Sequence, residues 1–268
     1  MGEFSGKVAV ITGGGGVLCS TIAEGLAREG VRCVLLDLAL DKAQATLDRV
    51  RRAGSDGLAL KANVLSRGEL ERAAEETLKK FGHVDFLING AGGNHPKATT
   101  SKEVPFFDLP EDAVRFVFDL NFLGTFLASQ ALGKVMADQG EGVILNIASM
   151  NAIRPLTRIP AYSAAKAAVA NFTQWLSVHM AQEYSPKIRV VAIAPGFFLT
   201  EQNRFLLLDE RGNLTERGKT IIAHTPAGRF GEPDDLIGTV LWLLSPGASF
   251  VSGVVIPIDG GFSAYSGV

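Results

Sequence analysis

Tyr162 and Lys166 stand four residues apart, and Ser149 precedes them at the end of a hydrophobic run. These residue types at this spacing suit proton transfer to or from an oxygen. The segment from Tyr162 through Lys166 to Ala170 is rich in helix formers, so residues i and i+4 share a face and the ammonium can lie beside the phenol. A nearby cation favours phenolate, which brings a group that titrates near pH ~10 closer to neutrality. A general acid/base acting on an alcohol or carbonyl needs that shift. Ser149 follows the run 142–148, so its hydroxyl is expected at the C-terminal end of a strand, where open α/β sheets place ligands. There it can hydrogen-bond the reacting oxygen. Alone, such a Tyr–Lys pair is more often an exposed helical contact, and the remaining chain has to supply the site.

The chain before it reads as strand, glycine loop, helix, strand. Val8 to Thr12 is apolar and β-prone, Gly13 to Gly16 follows, residues 21–29 have helical periodicity, and residues 32–37 form a second strand. A glycine-rich turn opening a helix lets backbone N–H groups and the helix dipole approach a pyrophosphate. Asp37 closes the second strand, placed to bind ribose hydroxyls. A carboxylate there repels a 2′-phosphate, and Leu38 follows it rather than arginine, so NAD is expected over NADP. Val17 and Cys19 stand where further glycines would ease backbone approach and helix packing.

Alternation continues with helices over 41–53 and 67–80 and strands over 57–62 and 84–89, which indicates a parallel sheet. Asn63 and Val64 are expected to border the adenine. Asn89-Gly-Ala-Gly92 is a small-residue turn suited to lying against a cofactor. A polar loop over 93–101 leads to a long helical region over 110–138 that contains Asn121, a poor interior helix residue unless its amide has a task. After the helix of Tyr162 come a strand over 187–194, Pro195-Gly196, a polar insertion over 197–231 expected to act as a lid, a helix over 233–244 and a last strand over 253–258.

With 268 residues and 47% hydrophobic content, the chain suffices for one large α/β domain over residues 1–268. A net charge of −2 argues against nucleic-acid or anionic-membrane binding and favours a small-molecule partner. The two cysteines, Cys19 and Cys33, form neither a CxxC motif nor a disulfide framework. No apolar run reaches membrane-spanning length and no signal segment is evident, so a cytoplasmic protein is expected. His83, His179 and His224 have no metal-ligand spacing, and no metal is expected.

Taken in order, these motifs resemble the short-chain dehydrogenase/reductase family over essentially the whole chain. The resemblance rests on Thr12-Gly13 with the glycine loop, Asp37, Asn89-Gly-Ala-Gly92, Asn121, Ser149, Tyr162-Ser-Ala-Ala-Lys166, Pro195-Gly196 with Thr200, and Asp259-Gly-Gly261. It implies a single doubly wound Rossmann-type domain that exchanges hydride with NAD(H). Tyr162 is then the general acid/base and Lys166 its neighbour and a ligand to the nicotinamide ribose. Ser149 polarises the reacting oxygen, and Asn121 holds a water in a proton relay. The implied cofactor contacts are Thr12, Gly13, Gly15, Gly16, Val17, Leu18, Asp37, Asn63, Val64, Asn89, Ala91, Gly92, Tyr162, Lys166, Pro195, Gly196 and Thr200.

A narrower resemblance concerns substrate. The segments 92–100, 149–158 and 197–204 look like the branch described as D-mannonate oxidoreductase or fructuronate reductase. A sugar acid needs cations for its carboxylate and hydrogen-bonding groups for its hydroxyls, which Asn94, His95, Lys97, Asn151, Arg154, Asn203 and Arg204 could supply. The family resemblance implies a homo-oligomer, commonly a tetramer. Rival readings are the same reaction on another polyol or keto acid, such as gluconate/5-ketogluconate, and a dinucleotide-binding regulatory protein with weak turnover.

Overall fold

The structure, a computed structural model, describes residues 2–200 and 204–267. The first half runs β1 (Val8–Thr12), α1 (Val17–Arg28), β2 (Arg32–Asp37), α2 (Leu40–Arg52), β3 (Gly57–Lys61), α3 (Arg67–Phe81), β4 (Phe86–Asn89), α4 (Glu111–Phe118) and α5 (Gly124–Gln139). The second half runs β5 (Gly142–Ile147), α6 (Pro160–Glu183), β6 (Ile188–Pro195), α7 (Arg204–Leu207), α8 (Glu216–Ala223), α9 (Ile237–Leu244) and β7 (Val255–Ile258). Among the described residues the strands form one parallel sheet in the order β3-β2-β1-β4-β5-β6-β7. This is the doubly wound single domain expected from the sequence.

The period of two along each strand sends alternate side chains to two separate cores. Ala9 and Ile11 pack with Ile22, Leu26, Leu47 and Val240 under α1, α2 and α9. Val8 and Val10 face the other way, onto Leu70, Leu132, Met136 and Leu176 of α3, α5 and α6. Burial on both faces explains why these strands read as continuous apolar runs. No described helix is long and apolar enough to cross a membrane.

Register lines up the strand ends that matter. Thr12 lies beside Leu36 and Asn89, and Asn89 beside Asn146. The loops leaving β1, β2, β4 and β5 therefore open at one edge, around the point where the strand order reverses.

The long helical region expected over 110–138 is present and continuous from α4 to α5, but its middle is widened into a π-helical turn, Asp119–Leu123. The cause is Asn121. Its side-chain Nδ2 donates to the Val117 carbonyl at 2.7 Å, competing with the backbone for the usual helical acceptor. The widened turn keeps Asn121 fully buried and within reach of the β4 exit.

The insertion over 197–231 has a closed base. Phe198 bridges Gly231, the Leu199 N–H donates to the Gly231 carbonyl, and the Gly231 N–H donates to the Phe197 carbonyl, both at 2.9 Å. Within it α8 begins at a Thr215 cap whose hydroxyl accepts from the Gly218 N–H.

Candidate active site

The glycine loop fits a dinucleotide because it has no room for side chains. Gly13 sits at φ +64°, a conformation that favours glycine, and a Cβ there would lie 2.9 Å from the Ala91 backbone. At Gly15 a Cβ would lie 3.0 Å from Asp37 Oδ2. Asp37 is pinned by its own loop: Oδ2 accepts from the Gly15 N–H at 3.0 Å and Oδ1 from the Ala39 N–H at 2.9 Å. A cleft of about 290 Å³ opens there, lined by Gly13, Gly15, Gly16, Asp37, Leu38, Lys42, Ala62, Asn63, Val64, Ala91, Gly92 and others. Gly16 caps α1 and Val17 begins it, so the helix N-terminus adjoins the cleft, with Leu18 following. These residues fit NAD: an acidic group for the ribose, bare backbone for the pyrophosphate, and a helix terminus for negative charge.

Two of the expected cofactor contacts have side chains bonded within the protein. Thr12 is buried, and its hydroxyl accepts from the Gly90 and Ala91 N–H groups at 3.1 and 3.2 Å. Asn89 is buried too, with Nδ2 donating to Asn146 Oδ1 at 2.9 Å and to the Ser129 hydroxyl at 3.0 Å. Both side chains face inward because the parallel ladder brings neighbouring strand ends within hydrogen-bond reach. They hold the β1 and β4 exits in register, leaving backbone to meet the cofactor.

Cys19 fills space that Gly90 leaves. A Cβ on Gly90 would lie 2.1 Å from the Cys19 sulfur, which sits 3.7 Å from the Thr12 carbonyl. Room for the Cys19 side chain on α1 is thus provided by a glycine just past β4. Burial pushes the thiol up to about 12, so it stays protonated at neutral pH.

Ser149, Tyr162 and Lys166 converge as the sequence suggests. Lys166 is buried, with Nζ 5.7 Å from the centre of the Tyr162 ring and donating to the Ile147 carbonyl at 2.7 Å. Gly92 lies against this group: a Cβ on it would be 2.6 Å from Asn121 Oδ1 and 3.3 Å from Lys166 Nζ. Asn121 also donates to the Gly93 carbonyl at 2.7 Å and accepts from the Gly93 N–H at 3.1 Å. Its amide therefore couples the π turn to the β4 exit beside Lys166.

The expected lowering of the Tyr162 pKa is not what this structure shows. Burial raises it above its ordinary value, and a hydrogen bond with Ser149 opposes that rise. Burial pulls Lys166 down to about 8, so the cation itself is weakened. Desolvation is the leading cause of both shifts.

The substrate-side residues fall into different roles. Asn151, buried, acts as a brace: Nδ2 donates to the Ser149 hydroxyl, while Oδ1 accepts from the Leu156 N–H at 3.0 Å and the Ser163 hydroxyl at 3.1 Å. It thereby positions Ser149. Asn94 donates to the Thr99 hydroxyl at 2.8 Å, and His95 Nδ1 accepts from the Lys97 N–H at 3.2 Å, so both help to shape their own exposed loop. Arg154, exposed, donates to the Tyr265 carbonyl at 3.1 Å, and Arg204 is exposed at the start of α7. Pro195 ends β6, and Gly196 is pressed against Asp259, 2.6 Å from Cβ to Cβ if a side chain is added. Thr200 closes the described stretch after β6, and Asn203 lies outside the described residues.

Two features escaped the sequence reading. Lys42 lines the cofactor cleft, and the C-terminal segment around Tyr265 reaches Arg154. The signal for Lys42 was a cation five residues past Asp37, in the first turn of the next helix.

Arg158 adopts φ +79°, and its carbonyl accepts from the Thr100 N–H at 2.8 Å, joining the two polar loops. An L-residue pays about 1 kcal/mol or more for that conformation. Arg158→Gly should therefore raise stability by about 1 kcal/mol in urea titrations, less the added freedom of the unfolded chain. A loss of stability would show that the guanidinium holds the loop.

The sequence pattern of the family described as short chain dehydrogenase matches residues 7–211. A Bacillus subtilis (strain 168) protein designated uncharacterized oxidoreductase UxuB is 50% identical over 275 residues, covering 99% of this chain and 98% of that one. The 5-keto-D-gluconate 5-reductase of Escherichia coli (strain K12) is 31% identical over 259 residues, covering 97% and 96%. A crystal structure with bound NAD, of a Haemophilus influenzae protein described provisionally as a D-mannonate oxidoreductase, matches with a TM-score of 0.93 at 45% identity, covering 100% and 98%. The family pattern spans most of the chain, and its NAD-bound relative shares the glycine cradle's fold: this chain belongs to the short-chain dehydrogenase/reductase family and is an NAD-dependent oxidoreductase.

Proposed function

We propose that this enzyme interconverts a secondary alcohol and a ketone on a sugar acid, with D-mannonate and D-fructuronate as the pair. The observation that carries this reading is Arg154. It sits five residues past Ser149 on the same loop, exposed, with a backbone carbonyl and no carboxylate as its partner among the described residues. A guanidinium so placed is available to a substrate carboxylate. Similarity to the D-mannonate oxidoreductase structure supports the choice of acid.

NAD(H), when bound, supplies the hydride acceptor or donor. In the reductive direction the Tyr162 hydroxyl gives its proton to the carbonyl oxygen as that carbon gains hydride, while Ser149 hydrogen-bonds the same oxygen. Lys166 orients the nicotinamide ribose, and Asn121 supports the proton path behind it. Residues 197–231 cover the substrate as a lid. The same reading places the enzyme in the cytoplasm as a homotetramer.

A second reading, reduction of 5-keto-D-gluconate, is favoured by the similarity to the reductase of that name. NADH oxidation by the purified protein on D-fructuronate, 5-keto-D-gluconate and an uncharged ketose separates these cases. Fructuronate should be turned over fastest, and Arg154→Ala should raise KM for the acid about tenfold, the loss of one charge-assisted hydrogen bond. Equal rates on the uncharged ketose, or unchanged kinetics in Arg154→Ala, would remove the carboxylate from the reading.

A further inference from the structure

The cofactor cleft is also lined by a cation, Lys42. Lys42 lies in the first turn of α2, and its side chain leaves the backbone against Gly15. A Cβ on Gly15 would lie 2.5 Å from Lys42 Cβ and 3.0 Å from Asp37 Oδ2, so the carboxylate and the lysine stem flank the same bare glycine. Both Asp37 oxygens are occupied by backbone N–H groups of Gly15 and Ala39. The Lys42 ammonium has no ion pair and no hydrogen bond among the described residues, although it lines the same cleft. A loop-held carboxylate and an exposed cation without an ion pair among the described residues therefore line the same cleft.

We propose that Lys42 is a specificity-determining residue: a latent 2′-phosphate-binding cation whose attraction for the phosphorylated dinucleotide is masked by the single negative charge of Asp37. The chemistry is one of competing fields. A 2′-phosphate carries up to two negative charges at neutral pH. Beside it the nearest fixed group, Asp37, repels. Lysine binds phosphate as a mobile point charge, and its four-carbon stem allows the ammonium to follow the ligand. Preference for NAD then depends on Asp37 alone, against a site already equipped for the alternative. This rests on the NAD-binding cleft and is independent of which substrate is reduced.

Fluorescence titration of NADH and NADPH tests it without turnover. Asp37→Asn and Asp37→Ser should each bind NADPH at least about tenfold more tightly than the parent protein, and adding Lys42→Met should remove about tenfold of that gain, as expected for one charge-assisted contact. The gain should also shrink as salt is raised, because the cation is exposed. NADH titration of the same variants reports whether the cleft survives. If NADH binds but NADPH affinity does not rise, or if the gain persists in full with Lys42→Met, the proposal is overturned. Should both Asp37 substitutions abolish NADH binding, Lys42→Met in the otherwise unaltered chain decides: NADPH binding must weaken about tenfold, and equal affinity rejects the role of Lys42.

Discussion

Tyr162→Phe should lower turnover by roughly 10²–10⁴-fold, the contribution of a positioned acid/base, while NADH affinity stays within a few-fold. The ring that packs near Lys166 and Ala161 is retained, and only the hydroxyl beside Ser149 is lost. Substantial remaining activity would reject the proton-transfer role. The pH profile should differ by direction. Tyr162 has a raised pKa, so the phenol dominates at neutral pH and the proton donor for reduction is already in place. Oxidation needs the phenolate, so its rate should climb by up to ~10-fold per pH unit above neutrality, whereas reduction should be level there. Lys166, pulled down to about 8, loses its charge over the same range and flattens the climb. A pH-independent oxidation rate would show that another group takes the proton.

Gly90→Ala should be the most damaging single methyl added to the cofactor edge. The new Cβ would meet the Cys19 sulfur at 2.1 Å, the Thr12 carbonyl at 3.0 Å and Ile147 Cδ1 at 3.2 Å. Overpacking of this kind costs about 1–3 kcal/mol. It should also weaken NADH binding, because the Gly90 and Ala91 N–H groups would be displaced from Thr12. Cys19→Ala in the same chain removes the closest contact and should restore most of the stability, leaving the two milder ones. Additive losses in the double variant, measured by denaturant titration and NADH binding, would mean that Cys19 and Gly90 are not a matched pair.

The contrast between these two residues shows where reading the sequence stopped. Cys19 could be recognised as a residue in a place suited to glycine, but its accommodation depends on Gly90, which follows β4 and reaches α1 only once β1 and β4 pair. Asn121 was recognisable as an asparagine in need of a task. The task itself, widening one helical turn and gripping Gly93, depended on a loop distant in sequence. Asn151 and Arg154 looked equivalent as polar residues after Ser149, yet one is a buried brace and the other an exposed cation.

By itself the sequence determined the class of fold and the chemistry. Apolar runs buried on both faces, alternating with amphipathic helices, are local signals, and Asp37, Ser149, Tyr162 and Lys166 occupy places set by those elements. Tertiary structure decided the state and availability of the side chains. Thr12 and Asn89 were drawn inward to tie strand ends, Lys42 was left facing the cofactor cleft, and Tyr162 and Lys166 were shifted by burial. Desolvation and hydrogen-bond partnership depend on which distant segments pack around a group, and residue type and spacing along the chain do not specify them.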